Sequence, residues 1–168
     1  FDVIILGFVQ GFTEFLPVSS SGHLALAKIF LGIELPPLNY DLVLHVSTTL
    51  ATILFFFSDI LTFLGQWCAG FVNAEARKKL GWHIGWAVIL GTLITGVIGF
   101  ALKNFAEEAS LNSLLVGIGL VVTGILLVVS RWIREGYGRV ALMDGVYVGI
   151  AQGLAVMPGV SRSGMTIM

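Results

Sequence analysis

The sequence predicts an all-α polytopic membrane protein in which transmembrane helices lie between two re-entrant helix–loop–helix hairpins, arranged as an inverted-topology repeat. Three observations predict it. The 168-residue chain is 57% hydrophobic and only 11% charged, with a mean hydropathy of +0.96, whereas soluble domains carry about 25% charge. Residues 10–23, Gln-Gly-Phe-Thr-Glu-Phe-Leu-Pro-Val-Ser-Ser-Ser-Gly-His, are echoed at 152–164 by Gln-Gly-Leu-Ala-Val-Met-Pro-Gly-Val-Ser-Arg-Ser-Gly. At a constant offset of 142, Gly7, Gln10, Gly11, Val18, Ser19, Ser21 and Gly22 recur as Gly149, Gln152, Gly153, Val160, Ser161, Ser163 and Gly164. Hydroxyl-rich breaks at corresponding places in an apolar chain point to two interrupted helices that meet at a buried polar site. The third observation is the alternation of loop charge.

Residues 2–33 form the first hairpin in this reading. Asp2–Leu16 and Gly22–Leu31 are apolar but individually too short to span, and Pro17 with three serines separates them. Non-helical backbone at membrane depth is tolerated only where it is buried in protein or lines a wet cavity. Three spans follow at 42–64, 82–102 and 111–130, each near the roughly 17–25 residues a bilayer requires. The third has no charged residue, and Gly117, Gly119 and Gly124 along it suit tight helix packing. Residues 145–168 open the second hairpin. The whole is one integral membrane domain. The chain begins without Met and stops four residues after Gly164, so it is expected to be a truncated piece of a longer protein.

The segment 65–81 holds Arg77, Lys78 and Lys79, and 131–144 holds Arg131, Arg134 and Arg139. The opposite connections pair single lysines with acids: Lys28 with Glu34 and Asp41, and Lys103 with Glu107 and Glu108. The positive-inside tendency therefore makes 65–81 and 131–144 cytoplasmic. Three spans between two hairpins then set the hairpins on opposite faces, the first entering from outside. Nothing resembles the basic face of a nucleic-acid binder, and the lone Cys68 excludes an intrachain disulfide and a multi-cysteine metal site.

Glu14 lies one helical turn after Gln10, so both project from one face. An ionisable group within a membrane segment marks a functional site by default; the bland alternative is a solvated interfacial carboxylate. Ser19, Ser20, Ser21 and Gly22 at a helix start can cradle an anion, although ordinary N-capping explains such serines equally well. His23 can act as acid, base or nucleophile toward phosphorus, or as a satisfied core histidine. Arg162, set between Ser161 and Ser163 and followed by Gly164, suits phosphate binding and keeps its charge when buried. Its alternatives are pairing with Glu14 or capping carbonyls. Together these groups are a kit for phosphoryl transfer, with Glu14 positioned to hold a divalent cation. His45 and His83, near the starts of spans, read as structural, with His45 able to approach the outer mouth of the site. Trp67, Trp82, Trp86 and Trp132 read as interfacial anchors.

The segments Gln10-Gly-Phe-Thr-Glu14, Pro17-Val-Ser-Ser-Ser-Gly-His23 and Pro158-Gly-Val-Ser-Arg-Ser-Gly164 resemble the signatures of the bacterial undecaprenyl-diphosphate phosphatase family linked to bacitracin resistance. The resemblance covers essentially the whole chain. It implies hydrolysis of the C55 isoprenoid diphosphate to the monophosphate carrier and inorganic phosphate, which recycles the carrier for peptidoglycan. It also implies a Mg2+ or Ca2+ requirement and a multi-pass protein of the bacterial cytoplasmic membrane with an outward-facing site. Carried onto this sequence, the catalytic residues are Glu14, Ser20, His23 and Arg162, and the metal residues Glu14 and Gln10. Ser19, Ser21, Gly22, Ser161, Ser163 and Gly164 would bind phosphate. Gln10 stands where a second carboxylate is the other option, so a two-carboxylate metal site is not expected. Ser20 and His23 remain alternative nucleophiles. The expected partners are a polyprenyl diphosphate lipid, membrane lipids and a second copy in a homodimer. The rival function is a lipid-phosphate transporter or flippase, which would use the same anion-binding loops and need no nucleophile.

Overall fold

The computed structural model describes residues 2–33, 37–132 and 140–167, the side chains of 37–39 excepted. Glu34, Arg134 and Arg139, used above for loop charge, and Met168 lie outside these residues. Regular structure among the described residues is entirely helical: α1 Asp2–Thr13, α2 Ser20–Leu31, α3 Pro37–Phe55, α4 Phe57–Val72, α5 Leu80–Ser110, α6 Ser113–Ser130, α7 Leu142–Leu154 and α8 Arg162–Ile167. A short 3-10 turn at Ala76–Lys78 lies in the α4–α5 connection.

Polar side chains share the core with small and branched apolar ones, and many large apolar side chains face outward. The largest fully buried side chains include Gln10 and Ser161, and Ser19, Thr48 and Thr123 are also buried, while Phe30, Phe55 and Phe100 are 81%, 82% and 83% exposed. Polar groups inside with apolar side chains outside is the arrangement a hydrocarbon solvent favours. Two helices, α5 and α6, are long and apolar enough to cross a membrane, or three spans if the bent α3–α4 pair counts as one.

That bend departs from the single continuous segment predicted over 42–64. The axes of residues 40–55 and of α4 diverge by 74° at Phe56, which sits at φ −95°, ψ 19°. Neither Pro nor Gly marks the place. Instead Thr49 and Thr52 donate their hydroxyls to the His45 and Thr48 carbonyls at 2.8 and 2.9 Å, a back-bonding pattern that bends helices. The ring of Phe55 meets that of Phe56 edge-on at 4.8 Å.

α5 and α7 form the most extensive helix pair, and their backbones touch. A Cβ on Gly149 would lie 2.7 Å from the Gly91 carbonyl oxygen, so the crossing requires glycine there. α4 returns along α5, joined by Trp67, Phe71, Trp82 and Trp86, with Trp67–Trp86 and Trp82–Trp86 centroids 6.0 and 5.8 Å apart. Three of the tryptophans read as separate anchors are thus one aromatic cluster. Arg77 lies 5.8 Å over the Trp82 ring and donates to the Gly70 carbonyl at 2.7 Å. The α1–α2 and α7–α8 hairpins are brought together by α6, against which α2 and α8 both pack.

Candidate active site

Each hairpin breaks for the same local reason. In the first, α1 ends at Thr13, and a turn through Pro17 leads to Ser19, whose Oγ accepts from the Gly22 N–H at 3.4 Å to cap α2. In the second, Ser161 Oγ accepts from the Gly164 N–H at 3.0 Å to cap α8. The neighbouring hydroxyls repeat as well, Ser19 with Ser21 at 3.4 Å and Ser161 with Ser163 at 3.2 Å. The 142-residue echo in sequence is therefore an echo in hydrogen bonding. One difference stands out: Ser19 is held at φ 65°, a conformation that costs a non-glycine residue of order 1–3 kcal/mol and that surrounding structure must enforce. Ser19 is buried, which supplies that enforcement.

The two turns are joined directly and through α6. Ser163 Oγ donates to the Leu16 carbonyl at 3.3 Å. On α6, Thr123 Oγ1 donates to the Gly159 carbonyl at 2.9 Å and accepts from the Ser161 N–H at 2.9 Å. Gly159, at φ +86°, presses so close that a Cβ there would stand 2.9 Å from the Leu120 nitrogen. From the other side, a Cβ on Gly22 would meet Leu120 Cδ2 at 2.8 Å and Gly159 Cα at 3.2 Å. The same turn of α6 carries both breaks.

Between the turns lies a cavity of about 240 Å³. One wall is Glu14, Ser19, Ser20 and Ser21 with His45 of α3; the other is Ser161, Arg162, Ser163 and Thr166, with Gln152 and Ala155 of the α7 end. Glu14 Oε2 accepts from Ser20 Oγ at 2.5 Å and from Gln10 Nε2 at 2.9 Å. A charged acceptor makes such hydrogen bonds short and strong. Gln10 Nε2 also lies 2.9 Å from His45 Nδ1 and 3.3 Å from Thr48 Oγ1. Arg162 is exposed and makes no side-chain hydrogen bond or ion pair among the described residues.

Of the residues singled out in sequence, the cavity gathers Glu14, Ser19, Ser20, Ser21, Ser161, Arg162 and Ser163. Gly22 and Gly164 sit behind them as the capped amides, and Gln10 is buried behind Glu14. His23 is not among the lining residues; its Nδ1 is 2.8 Å from the Ser19 carbonyl oxygen, one turn back along α2. The imidazole in the cavity is His45, which the sequence reads as structural. It lies 31 residues along the chain from Glu14, and no local periodicity announces it. Gln152 and Thr166 also line the cavity without standing among the expected site residues. Gln152 carries a signal, being the 142-residue echo of Gln10.

Chemically, the arrangement pairs a hydroxyl with a carboxylate base on one wall and a free guanidinium with further hydroxyls on the other. A compact, multiply charged oxyanion fits such a space. No group of three or more His, Cys, Asp or Glu residues could hold a metal ion among the described residues. A hard cation bound jointly with a phosphate ligand needs only one or two carboxylates, with waters completing its sphere. Glu14 meets that requirement, and Gln10 Oε1 is a buried oxygen without a hydrogen-bond partner among the described residues. An oxygen-ligated Mg2+ or Ca2+ fits this donor set; a Zn2+ site of His and Cys does not.

The family model described as Bacitracin resistance protein BacA matches residues 3–168. The chain is 43% identical over 171 residues to an undecaprenyl-diphosphatase of Acaryochloris marina, covering 99% of this chain and 63% of that protein. It is 40% identical over 180 residues to an undecaprenyl-diphosphatase of Methanosphaera stadtmanae, covering 99% of this chain and 64% of the relative. A third relative of that name, from Desulfatibacillum aliphaticivorans, is 39% identical over 178 residues, with 64% of its length covered. The chain thus spans a little under two thirds of the relatives it matches. With the family model matched almost from end to end and the paired Ser-x-Ser-Gly turns facing one cavity, this chain belongs to the bacitracin resistance protein BacA family.

Proposed function

We propose that this chain carries the active site of a membrane phosphatase that hydrolyses undecaprenyl diphosphate to undecaprenyl phosphate and inorganic phosphate. The observation that carries the reading is the 2.5 Å hydrogen bond from Ser20 Oγ to Glu14 Oε2, made in a cavity whose facing wall presents Arg162. Binding alone does not need a hydroxyl held against a carboxylate; transfer of a phosphoryl group does.

In this mechanism the terminal phosphoryl group enters between the walls, and Arg162 with Ser161 and Ser163 takes its equatorial oxygens. Ser20 Oγ attacks the terminal phosphorus while its proton passes to Glu14, and the bond from that phosphorus to the bridging oxygen breaks. The bridging oxygen leaves with the lipid as undecaprenyl phosphate. Water then attacks the phosphoserine, the bond from Ser20 Oγ to phosphorus breaks, inorganic phosphate departs, and the proton on Glu14 returns to Ser20. Arg162 stabilises the charge that spreads over the oxygens in both steps. A divalent cation held by Glu14, with Gln10 as a neutral oxygen donor, would neutralise diphosphate charge. Ser20 is favoured over His23 as nucleophile because Ser20 lines the cavity and His23 does not.

The role in the cell follows from the product. The monophosphate is the form of the carrier that can be loaded again for peptidoglycan, and depleting the diphosphate removes the lipid that bacitracin sequesters. The hairpins are read as re-entrant from opposite faces, with the cavity opening outward from the bacterial cytoplasmic membrane. One chain supplies both walls of the cavity, so a homodimer would pair two sites rather than build one between them.

The test is phosphate release from undecaprenyl or farnesyl diphosphate by the purified full-length protein, with and without EDTA. Release lost on chelation and in Ser20→Ala is the expected result. A Ser20→Ala protein that moves lipid phosphate across proteoliposomes, with no release from the unmutated protein, would establish the transporter instead.

A further inference from the structure

We propose that His45 is a positioning residue of this site, acting through Gln10 to hold Glu14 against Ser20; the inference rests on the phosphatase reading and deepens it. Neither the repeated motifs nor the family signatures quoted above include position 45.

The argument begins with Gln10, which is 1% exposed. Its amide nitrogen can only donate, and it has two protons. Three groups stand within reach of it: Glu14 Oε2 at 2.9 Å, His45 Nδ1 at 2.9 Å and Thr48 Oγ1 at 3.3 Å. Since the amide nitrogen cannot accept, a hydrogen bond between the two is made by the neutral His45 tautomer that carries its proton on Nε2 and accepts through Nδ1. Thr48 Oγ1 lies 3.2 and 3.1 Å from the Leu44 and His45 carbonyls, to which its own proton can go, so it too faces Gln10 as an acceptor. The opposite amide orientation would set Gln10 Oε1 against the Glu14 carboxylate oxygen at 2.9 Å, two acceptors facing each other.

His45 thereby fixes which way the amide points, and the amide in turn fixes Glu14. The carboxylate oxygen that takes the Gln10 proton is the same Oε2 that accepts from Ser20 at 2.5 Å. His45 Nδ1 lies only 3.4 Å from that oxygen. In that tautomer the Nδ1 lone pair is turned to Gln10, and the ring stands beside the carboxylate without donating to it. Glu14 is left free to take the serine proton. The imidazole reaches this wall from α3 and is half-open to the cavity, with a side-chain exposure of 39%. A residue serving only to fasten α3 to α1 would have no need to line the space.

The experiment uses the full-length protein in detergent, with kcat and KM for phosphate release from farnesyl diphosphate. His45→Ala frees the amide and is expected to lower kcat by about 10- to 100-fold, the scale on which a misplaced catalytic group is felt, with KM changed less than about twofold. His45→Gln supplies an oxygen acceptor on a chain of similar reach and is expected to recover at least half of the lost activity on a logarithmic scale. In a Gln10→Met background, His45→Ala is expected to add little, because the intermediary is gone. Wild-type kcat in His45→Ala overturns the inference, as does a loss confined to KM, a His45→Gln protein no better than alanine, or full additivity with Gln10→Met. If His45→Ala does not fold, His45→Gln compared with His45→Leu makes the same test: equal activities overturn the proposal. Failure of the functional reading looks different, since the unmutated protein would then release no phosphate, and the inference would fall with it.

Discussion

Thr123 does not line the cavity, yet the Arg162 turn should depend on it. Its hydroxyl donates to the Gly159 carbonyl and accepts from the Ser161 N–H, both at 2.9 Å, and the residue is 3% exposed. Thr123→Val keeps shape and volume but removes both hydrogen bonds, stranding a buried donor and a buried acceptor. Each unsatisfied group costs about 1–3 kcal/mol, so a loss of about 2–6 kcal/mol is expected. Thr123→Ser keeps the hydroxyl and loses one methyl, which costs about 0.5–1.5 kcal/mol in a packed site. The difference between the variants isolates the hydroxyl. Because Ser161 directly precedes Arg162, the valine variant should also lower kcat for phosphate release by about tenfold or more. Thermal unfolding in detergent and steady-state phosphate release measure the two effects. If valine and serine variants unfold together and turn over alike, Thr123 is not the strap described, and the reasoning from buried hydrogen bonds fails here.

The other predictions concern the walls of the cavity. Arg162→Ala should reduce kcat/KM by about 10²-fold or more, the cost of losing one preorganised charge-stabilising donor. Its melting temperature should stay within about a degree of wild type, because the guanidinium has no partner among the described residues and an exposed side chain without one contributes little to stability; a large drop in melting temperature would make the residue structural. Arg162→Lys should restore only part of the activity, since a point charge cannot reproduce a two-pronged grip. Gly159→Ala must place a Cβ 2.9 Å from the Leu120 nitrogen at φ +86°, and should cost about 2–4 kcal/mol from the left-handed backbone and overpacking together. Unfolding measurements on that variant decide it, and a stability equal to wild type would mean that α6 and the turn are less closely packed than described.

The all-helical fold with membrane-spanning helices, and the gathering of several of the singled-out polar residues around one cavity, are legible in the sequence for reasons that can be named. Membrane character follows from composition, because no soluble surface can be built from so few charges. The convergence of Glu14, Ser20 and Arg162 is readable because the chain repeats itself, and a repeat with polar breaks leaves few places for those breaks except against each other. The bend at Phe56 is not readable. Hydroxyl groups at 49 and 52 bond backbone there, and on a hydropathy pattern threonine looks like a mild member of an apolar run. His45 is read as structural, able at most to approach the mouth of the site, for a related reason: a lone histidine on an apolar helix acquires meaning only from what the fold sets beside it. His23 shows the converse. Its i,i+3 spacing from Ser20 sets the two on one face of α2, yet its Nδ1 lies 2.8 Å from the Ser19 carbonyl and it is not among the residues that line the cavity.

α6 supports both breaks on a single turn, with Leu120 packed against both Gly22 and Gly159. Under the proposed function, the spacing of the two arms that carry the serine turns is then set by their shared contact with one helix. A site gauged in that way should select by size before any chemistry begins. It also binds the fates of the two arms together, so that a substitution on α6 between Val116 and Thr123 should disturb the serine side and the arginine side in the same stroke.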